Sequence, residues 1–411
     1  MIKIIHISHT DDKSGAGIAA KRIHLSLLNN DFYVKSIMRV NRLFTKNQSS
    51  IIGAKKIKKF IFYVKMFLER KIIDLLNYQD NNFHSLSILP SFLYKELNKS
   101  DFDIVHLHWV QHEMISIEAI GKIEKPIVWT FHDLWPCCKT AHYPDNIIDL
   151  KLRNKKYKLQ EIIDNWCFKR KKNSWSKSIN IVCPSKWMAK QVRNSEIMKN
   201  CNIKVIPNPL DTNIFKPVEF KEARTILNIN PNKNIILFGS LDGSKDLRKG
   251  FDLFEKLIEA ILEEYCDFEI LTFGKEMKFT FLKRIPIKNL GKIDNIQKLA
   301  TIYSASNLMV VPSRLESFGQ TASESQSCGT PVIAFKTSGL KDIVEDGETG
   351  YLIEKYNYKI MAEKIIDLFK DKSKLNYLGK NARRNAIKKF SQEIVAKKYL
   401  KLYKNIQNGK A

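Results

Sequence analysis

The stretch Pro312-Ser313-Arg314-Leu315-Glu316-Ser317-Phe318-Gly319-Gln320-Thr321-Ala322-Ser323-Glu324-Ser325 decides how this chain reads. Just before it, Leu308-Met309-Val310-Val311 is a short apolar run with branched residues, suited to a buried strand. A polar turn containing Gly319 follows. Gln320 to Ser327 then suits a helix that Cys328-Gly329-Thr330-Pro331 closes. A strand, a turn and a helix N-terminus offer backbone N–H groups to an anion, above all a phosphate. Two carboxylates bracket the turn: Glu316 within it and Glu324 inside the helix. The helix dipole alone accounts for Glu316. It does not account for Glu324, which sits among Ser and Ala; a carboxylate there accepts from paired hydroxyls, as sugars and riboses offer. The spacing by itself leaves both readings open.

Working outward, the same strand, loop and helix order recurs. Lys3 to Ser8 reads as a parallel-sheet strand, Ser14-Gly15-Ala16-Gly17 as a loop, and Ile18 to Leu28 as a helix. The loop departs from the dinucleotide pattern Gly-x-Gly-x-x-Gly because Ala20 takes the third position, and a tight turn explains it equally well. Asn234 to Gly239 is a strand, followed by the loop Ser240 to Arg248 and by Lys249-Gly250 before a helix from Phe251. Phe102 to Trp109 is a strand with His106 and His108 on one face, and Lys125 to Pro136 holds another that ends in His132-Asp133. In open parallel sheets that strand end faces the ligand crevice. A metal site on His106 and His108 needs a third ligand, and none is evident, so hydrogen-bonded histidines are the better reading.

These elements predict an α/β fold. Three prolines (Pro207, Pro209, Pro217) mark a stiff connection. The expected domains are 1–206 and 218–385, joined by a linker at 207–217. Residues 386–411 are expected as a C-terminal helix packing back on the first domain.

With Val-Pro-Ser before the two glutamates, and with Cys-Gly-Thr-Pro-Val-Ile-Ala and Asp-Gly-Glu-Thr-Gly-Tyr-Leu-Ile after them, the span Asn307 to Ile353 resembles the donor-site signature of family-four retaining glycosyltransferases. The resemblance implies a GT-B fold, two Rossmann-like doubly wound domains facing across a cleft. The acceptor side would be 1–206 and the nucleotide-sugar side 218–385. It implies that Glu316 holds the donor sugar, that Glu324 holds the ribose, and that amides of Ser317, Phe318 and Gly319 meet the sugar or diphosphate. Gly15 and Gly17 resemble the family's N-terminal glycine loop. His132 matches a histidine that contacts the donor sugar near the reacting centre, and His-Asp-Leu-Trp-Pro suggests members that build bacterial surface polysaccharide. Gly239 and Lys249 match the diphosphate-binding stretch. The usual basic residue after that glycine is replaced by Ser240, with Arg248 or Lys245 as substitutes. The implied reaction needs no metal and no cofactor beyond the nucleotide-sugar substrate. Its acceptor is a saccharide or lipid-linked saccharide. An epimerase or phosphorylase on the same fold, or a non-catalytic partner subunit, are the alternatives.

Composition bounds the partners. The chain has 411 residues, 44% hydrophobic, and a formal net charge of +26. The length suits two domains. Seven Cys without regular spacing or a Cys-x-x-Cys pair fit a reducing cytoplasm rather than a disulfide framework or zinc site. The Met1 start lacks signal-peptide architecture, and no apolar run reaches the roughly 18–20 residues of a membrane span. Residues 55–71 and 151–177 mix Lys and Arg with aromatics, which suits the inner face of an anionic membrane or an ordinary solvated helix face. Phe60, Tyr63, Val64 and Phe67 form one stripe, with Lys55, Lys58, Lys59 and Lys65 spread over the rest. No nucleic-acid-binding motif accompanies the charge, so nucleic acid is not an expected partner.

Overall fold

The computed structural model describes every residue except 12–13, 30–33, 41–49, 53–55, 79, 81, 145–157, 176–178, 242, 276, 278, 280–284 and 410–411. Lys55, Lys155 and Lys156 of the basic segments therefore lie outside the described residues, as does the Lys59 side chain. The chain forms two units, Met1–Pro209 with Val395–Ala411, and Leu210–Ile394.

The first unit holds seven strands: β1 Ile2–Ser8, β2 Val34–Val40, β3 Ile51–Ile52, β4 Ile104–Leu107, β5 Ile127–Thr130, β6 Asn180–Cys183 and β7 Asn202–Val205. Their order is β3-β2-β1-β4-β5-β6-β7, and the ladders are parallel. β4, β5 and β6 are buried throughout, as parallel strands covered on both faces must be. The order reverses between β1 and β4, which puts a ligand crevice beyond the carboxyl ends of those strands.

The second unit holds β8 Asn234–Ser240, β9 Phe268–Gly274, β10 Ile287–Asn289, β11 Leu308–Val311, β12 Val332–Phe335 and β13 Gly350–Ile353. Their order, β10-β9-β8-β11-β12-β13, is again parallel and reverses between β8 and β11. The decisive stretch therefore leaves β11 at the switch point, and the Lys249 loop leaves β8 beside it.

The boundaries have side-chain causes. The stretch after Pro209 is fastened to the second unit: Phe215 is buried there, and the Arg383 guanidinium donates to Thr212 O and Phe215 O at 3.0 and 2.8 Å. The helix Lys372–Phe390 runs past 385, and Phe390 packs edge-on against Phe318 at 5.6 Å. The return to the first unit thus begins at Val395, not at 386. Val395, Ala396, Tyr399, Leu402 and Tyr403 are all buried against Ile4, Ile104, Val128 and Val182.

Two of those tyrosines also reach polar groups inside the first unit. The Tyr403 hydroxyl bonds His106 Nδ1 at 2.7 Å, and the Tyr399 hydroxyl lies 3.2 Å from Thr130 Oγ1. Tyr403→Phe should leave His106 Nδ1 buried and unpaired, lowering stability by about 1–3 kcal/mol. Tyr403→Ala also opens a cavity, and about 3–5 kcal/mol is expected. Urea unfolding of the two variants checks both the order and the size.

Candidate functional site

At the β8/β11 switch point two loops are pressed together. Gly250 has φ +70°, and a Cβ there would sit 2.0 Å from Pro312 O. Only glycine tolerates both conditions. Arg314 fastens the same contact: its N–H donates to Arg248 O at 2.7 Å, and its guanidinium reaches Leu247 O and both Asp252 oxygens. The approach brings Lys249 Nζ to 2.6 Å from Glu316 Oε1, which also accepts from Ser313 Oγ at 3.0 Å. Glu316 is 8% exposed. Both of these donors lie on Oε1, and a carboxylate has further acceptor capacity on Oε2.

The turn is held from behind. Glu316 N–H donates to Ser338 Oγ at 2.7 Å, and Gly339 N–H donates to Glu316 O at 2.9 Å. Gly319, at φ +110°, is the N-cap of the helix Gln320–Ser327 and makes no side-chain cap hydrogen bond. Phe318 itself is core, packed on Phe390 and buried, so only its backbone faces the turn. Glu324 lies in that helix, 5% exposed, and accepts from the Tyr303 hydroxyl at 2.8 Å.

In the first unit the carboxyl ends of β1, β4 and β5 carry histidines. His6 Nδ1 is 2.9 Å from His108 Nε2, and His108 Nδ1 is 3.2 Å from His132 Nε2. His106 bonds Tyr403 and Thr130 and lies ring to ring with His108 at 4.2 Å. His6, His106 and His108 each bring a nitrogen within 4.8 Å of the others, so His6 is the third member that a metal reading lacked. Both His106 nitrogens and the facing nitrogens of the other pair are hydrogen-bonded to one another or to hydroxyls, so the group is joined as it stands. Asp133 accepts from Trp109 Nε1 and His142 Nδ1, both at 2.7 Å, and so anchors the segment after His132.

Several other expected residues have local packing and hydrogen-bonding partners. Gly17 lets the helix Gly15–Leu28 approach Thr10, whose Oγ1 would stand 2.3 Å from a Cβ, and its N–H donates to Ser14 Oγ; Gly15 opens that helix. Gly239 makes room for the Phe273 ring, 2.1 Å from where its Cβ would be. The Arg248 guanidinium pairs with both oxygens of Asp246 at 2.9 Å, so this substitute cation is engaged within its own loop. Ser240 is buried and donates to Gly243 O, whereas Lys245 is exposed. The basic run at 169–172 is divided: Lys169 and Lys172 are exposed, Lys172 pairing with Glu196, whereas Arg170 is part-buried and pairs with Glu118. Lys171 is buried over the Trp135 ring, bonded to Trp135 O and Cys138 O, and burial pushes its pKa down to about 7.

Comparison with known proteins agrees with this geometry. Residues 66–214 match the model described as Glycosyltransferase Family 4, and residues 219–385 match Glycosyl transferases group 1. The chain belongs to these glycosyltransferases. An uncharacterized glycosyltransferase of Methanocaldococcus jannaschii is 32% identical over 51% of this chain and 59% of its own. The capsular polysaccharide biosynthesis glycosyltransferase CapM of Staphylococcus aureus is 34% identical over 31% of this chain and 33% of its own. The chain spans about half to three-fifths of the length of the first curated relatives it matches. A sucrose-phosphate synthase from Thermosynechococcus elongatus superposes over all of both chains with TM-score 0.70 at 20% identity, and shows the fold, GT-B with two Rossmann-like domains.

Sequence reading of this glycosyltransferase missed His6, Asp133 and Ser313 as parts of the two clusters. The signal for His6 is its register: it lies opposite His106 across the β1–β4 ladder. That pairing is non-local and invisible until the strand order is known.

Burial holds His9, His24 and His132 down at about 4, and His6, His106 and His108 well below their ordinary value of 6.5. The unfolded glycosyltransferase therefore binds more protons than the folded one between pH 6.5 and 4. This stability is fully present above 6.5 and lost as pH falls. Glu113 acts the other way: burial, then the Glu69 charge, raise it to about 7, so its contribution is lost as pH rises from 4.5 to 7. Burial lowers His142 as well, so one carboxyl opposes seven imidazoles. The expected result is a urea midpoint that falls steadily as pH drops from 6.5; a flat midpoint would show that these histidines are not neutral in the fold.

Proposed function

We propose that the protein transfers a sugar, with retention of anomeric configuration, from a nucleotide diphosphate sugar to a saccharide or lipid-linked saccharide during assembly of bacterial surface polysaccharide. The observation that carries this is the Lys249–Glu316 pair at the β8/β11 switch point, beside a helix N-terminus capped by Gly319. A nucleotide diphosphate is a leaving group that gains negative charge, and cations with aimed amides stabilise it. Lys249 moves from Glu316 to the phosphate as the donor binds. That frees Glu316 to accept from a sugar hydroxyl, while Glu324 accepts from the ribose. The glycosidic carbon passes through an oxocarbenium-like state. The acceptor oxygen attacks the face the diphosphate leaves, and a departing phosphate oxygen takes the acceptor's proton. By the family resemblance His132 meets the donor sugar near the reacting carbon. No metal has a step in this reading. The link to surface polysaccharide rests on the His-Asp-Leu-Trp-Pro segment and on the likeness to CapM.

The test is thermal shift against UDP-, GDP- and ADP-sugars with and without chelator, since a ligand that binds only the folded state raises Tm. A chelator-resistant shift with one donor is expected. Glu316→Ala and Lys249→Ala should each lower transfer on the order of a hundredfold or more while the fold persists. Near-normal turnover in either would remove that residue from the mechanism, and altered sugar released without an acceptor would indicate an epimerase.

The same reading places the enzyme in the cytoplasm, at the inner face of an anionic membrane. Among the described residues no helix is long and apolar enough to cross a bilayer. On the helix Lys56–Leu76, the stripe Phe60, Tyr63, Val64 and Phe67 faces outward, with Phe60 70% and Phe67 58% exposed; Phe62, Glu69 and Leu76 face the protein. Lys58 is paired with Glu96, and Lys65 donates to Pro90 O. Apolar insertion is therefore the stronger contribution of this helix. Phe60→Ser with Phe67→Ser should weaken flotation on anionic phospholipid vesicles more than Lys58→Glu does. Equal binding by all three proteins would rule this helix out as the contact.

A further inference from the structure

The three linked histidines of the first unit lie in a line. His6 and His108 have ring centroids 5.2 Å apart at an interplanar angle of 16°, and His108 and His132 have 5.5 Å and 24°. With nitrogen to nitrogen distances of 2.9 and 3.2 Å, such small angles put the rings edge to edge rather than face to face. The line crosses from β1 to β4 and on to the segment after β5. His106 presses on it from the side, at 4.6 Å from His6 and 4.2 Å from His108, and is itself fixed by Tyr403 and Thr130. The backbone at His108 is pinned as well, because its carbonyl accepts from Trp129 Nε1 at 2.9 Å.

A neutral imidazole has one N–H and one acceptor nitrogen, and which nitrogen holds the proton is set by the partner of the other. A line of neutral rings therefore has only two polarities. The far end decides between them. His6 Nε2 is buried and has no hydrogen-bond partner among the described residues. A buried N–H without an acceptor is rarer than an acceptor without a donor. The proton of His6 then lies on Nδ1 and points at His108 Nε2. His108 must carry its proton on Nδ1 and point it at His132 Nε2. His132 is left with its proton on Nδ1, the nitrogen that no described residue engages.

We propose that His6 and His108 are positioning residues that hold His132 as an Nδ1–H hydrogen-bond donor, so that His132 offers a ligand oxygen a donor and not a base. The ligand class is a sugar hydroxyl or ring oxygen. This rests on the reading in which His132 meets the donor sugar. Burial supports it by keeping all three rings uncharged near neutral pH.

The test is 15N–1H correlation across the imidazole rings of the full chain labelled at histidine, with His132 signals assigned by their loss in His132→Gln. The expected wild-type pattern has His132 protonated at Nδ1 and unprotonated at Nε2; the opposite pattern overturns the proposal without any variant. His108→Asn keeps an amide N–H near the place of Nδ1 and should retain that tautomer. His108→Leu removes the donor and should lose it, with a fall in kcat of about 10- to 100-fold, the size of loss found when the outer hydrogen-bond partner of a metal-ligating histidine is removed. An unchanged tautomer in folded His108→Leu also overturns the proposal. The tautomer is read without turnover, so absence of transfer with every donor would remove the transferase reading alone.

Discussion

The missing Cβ of Gly250 is the constraint on which the second unit's site depends. Two chain segments leave neighbouring strands β8 and β11, and at that carbon a side chain would occupy the space of Pro312 O. With glycine there, the backbones touch, Arg314 bonds Arg248 O and Leu247 O, and Lys249 falls beside Glu316. The ion pair is a consequence of the backbone contact more than its cause. An exposed pair adds little stability, and this one is part-buried, with Lys249 32% and Glu316 10% exposed at their side chains. Its physical worth is that each partner holds the other in place. In the proposed transfer a phosphate competes for the lysine, and a hydroxyl then competes for the carboxylate.

The first unit solves a different problem. A sheet covered on both faces buries whatever its strands carry, and β1 and β4 carry His6 and His106, with His108 just beyond β4. Buried polar groups must be hydrogen-bonded, and charged ones would need a counter-ion. Here the rings stay neutral and bond one another, Thr130 and Tyr403. The last of these comes from the far end of the chain, 297 residues from His106. The C-terminal helix is thus more than an apolar cover, because its tyrosine hydroxyl completes a polar cluster that the sheet cannot complete alone.

Local order was legible in the sequence wherever it was encoded by neighbours along the chain. β11 and the helix Gln320–Ser327 have the bounds that their apolar run and closing residues indicate. Contacts between distant residues were not legible. Glycine composition marks loops but does not say what approaches the missing Cβ, so the packing of Thr10 at Gly17 and of Phe273 at Gly239 was not legible. A run of cations likewise does not disclose which of them meet acids. Arg248, Arg170 and Lys172 have carboxylates set by the tertiary fold or by a turn, and Lys171 is buried on an indole. The fold class followed from repeated strand, loop and helix order; the histidine line required the β1–β4 register.

The two switch points therefore differ in kind, and the difference bears on what each can recognise. At β8/β11 the groups are ions and helix amides, which act at a distance and are weakened by water; they suit a diphosphate, whose charge repays its desolvation. At β1/β4 the groups are neutral rings in hydrogen-bond register, which act only at contact and only with the proton on the right nitrogen. Such groups discriminate among hydroxyl positions, where a misplaced donor leaves a buried atom unpaired. A line of charged imidazoles there would cost the sheet its core. Burial that keeps the histidines neutral thus serves the packing of the first unit and the division of labour between charge and direction.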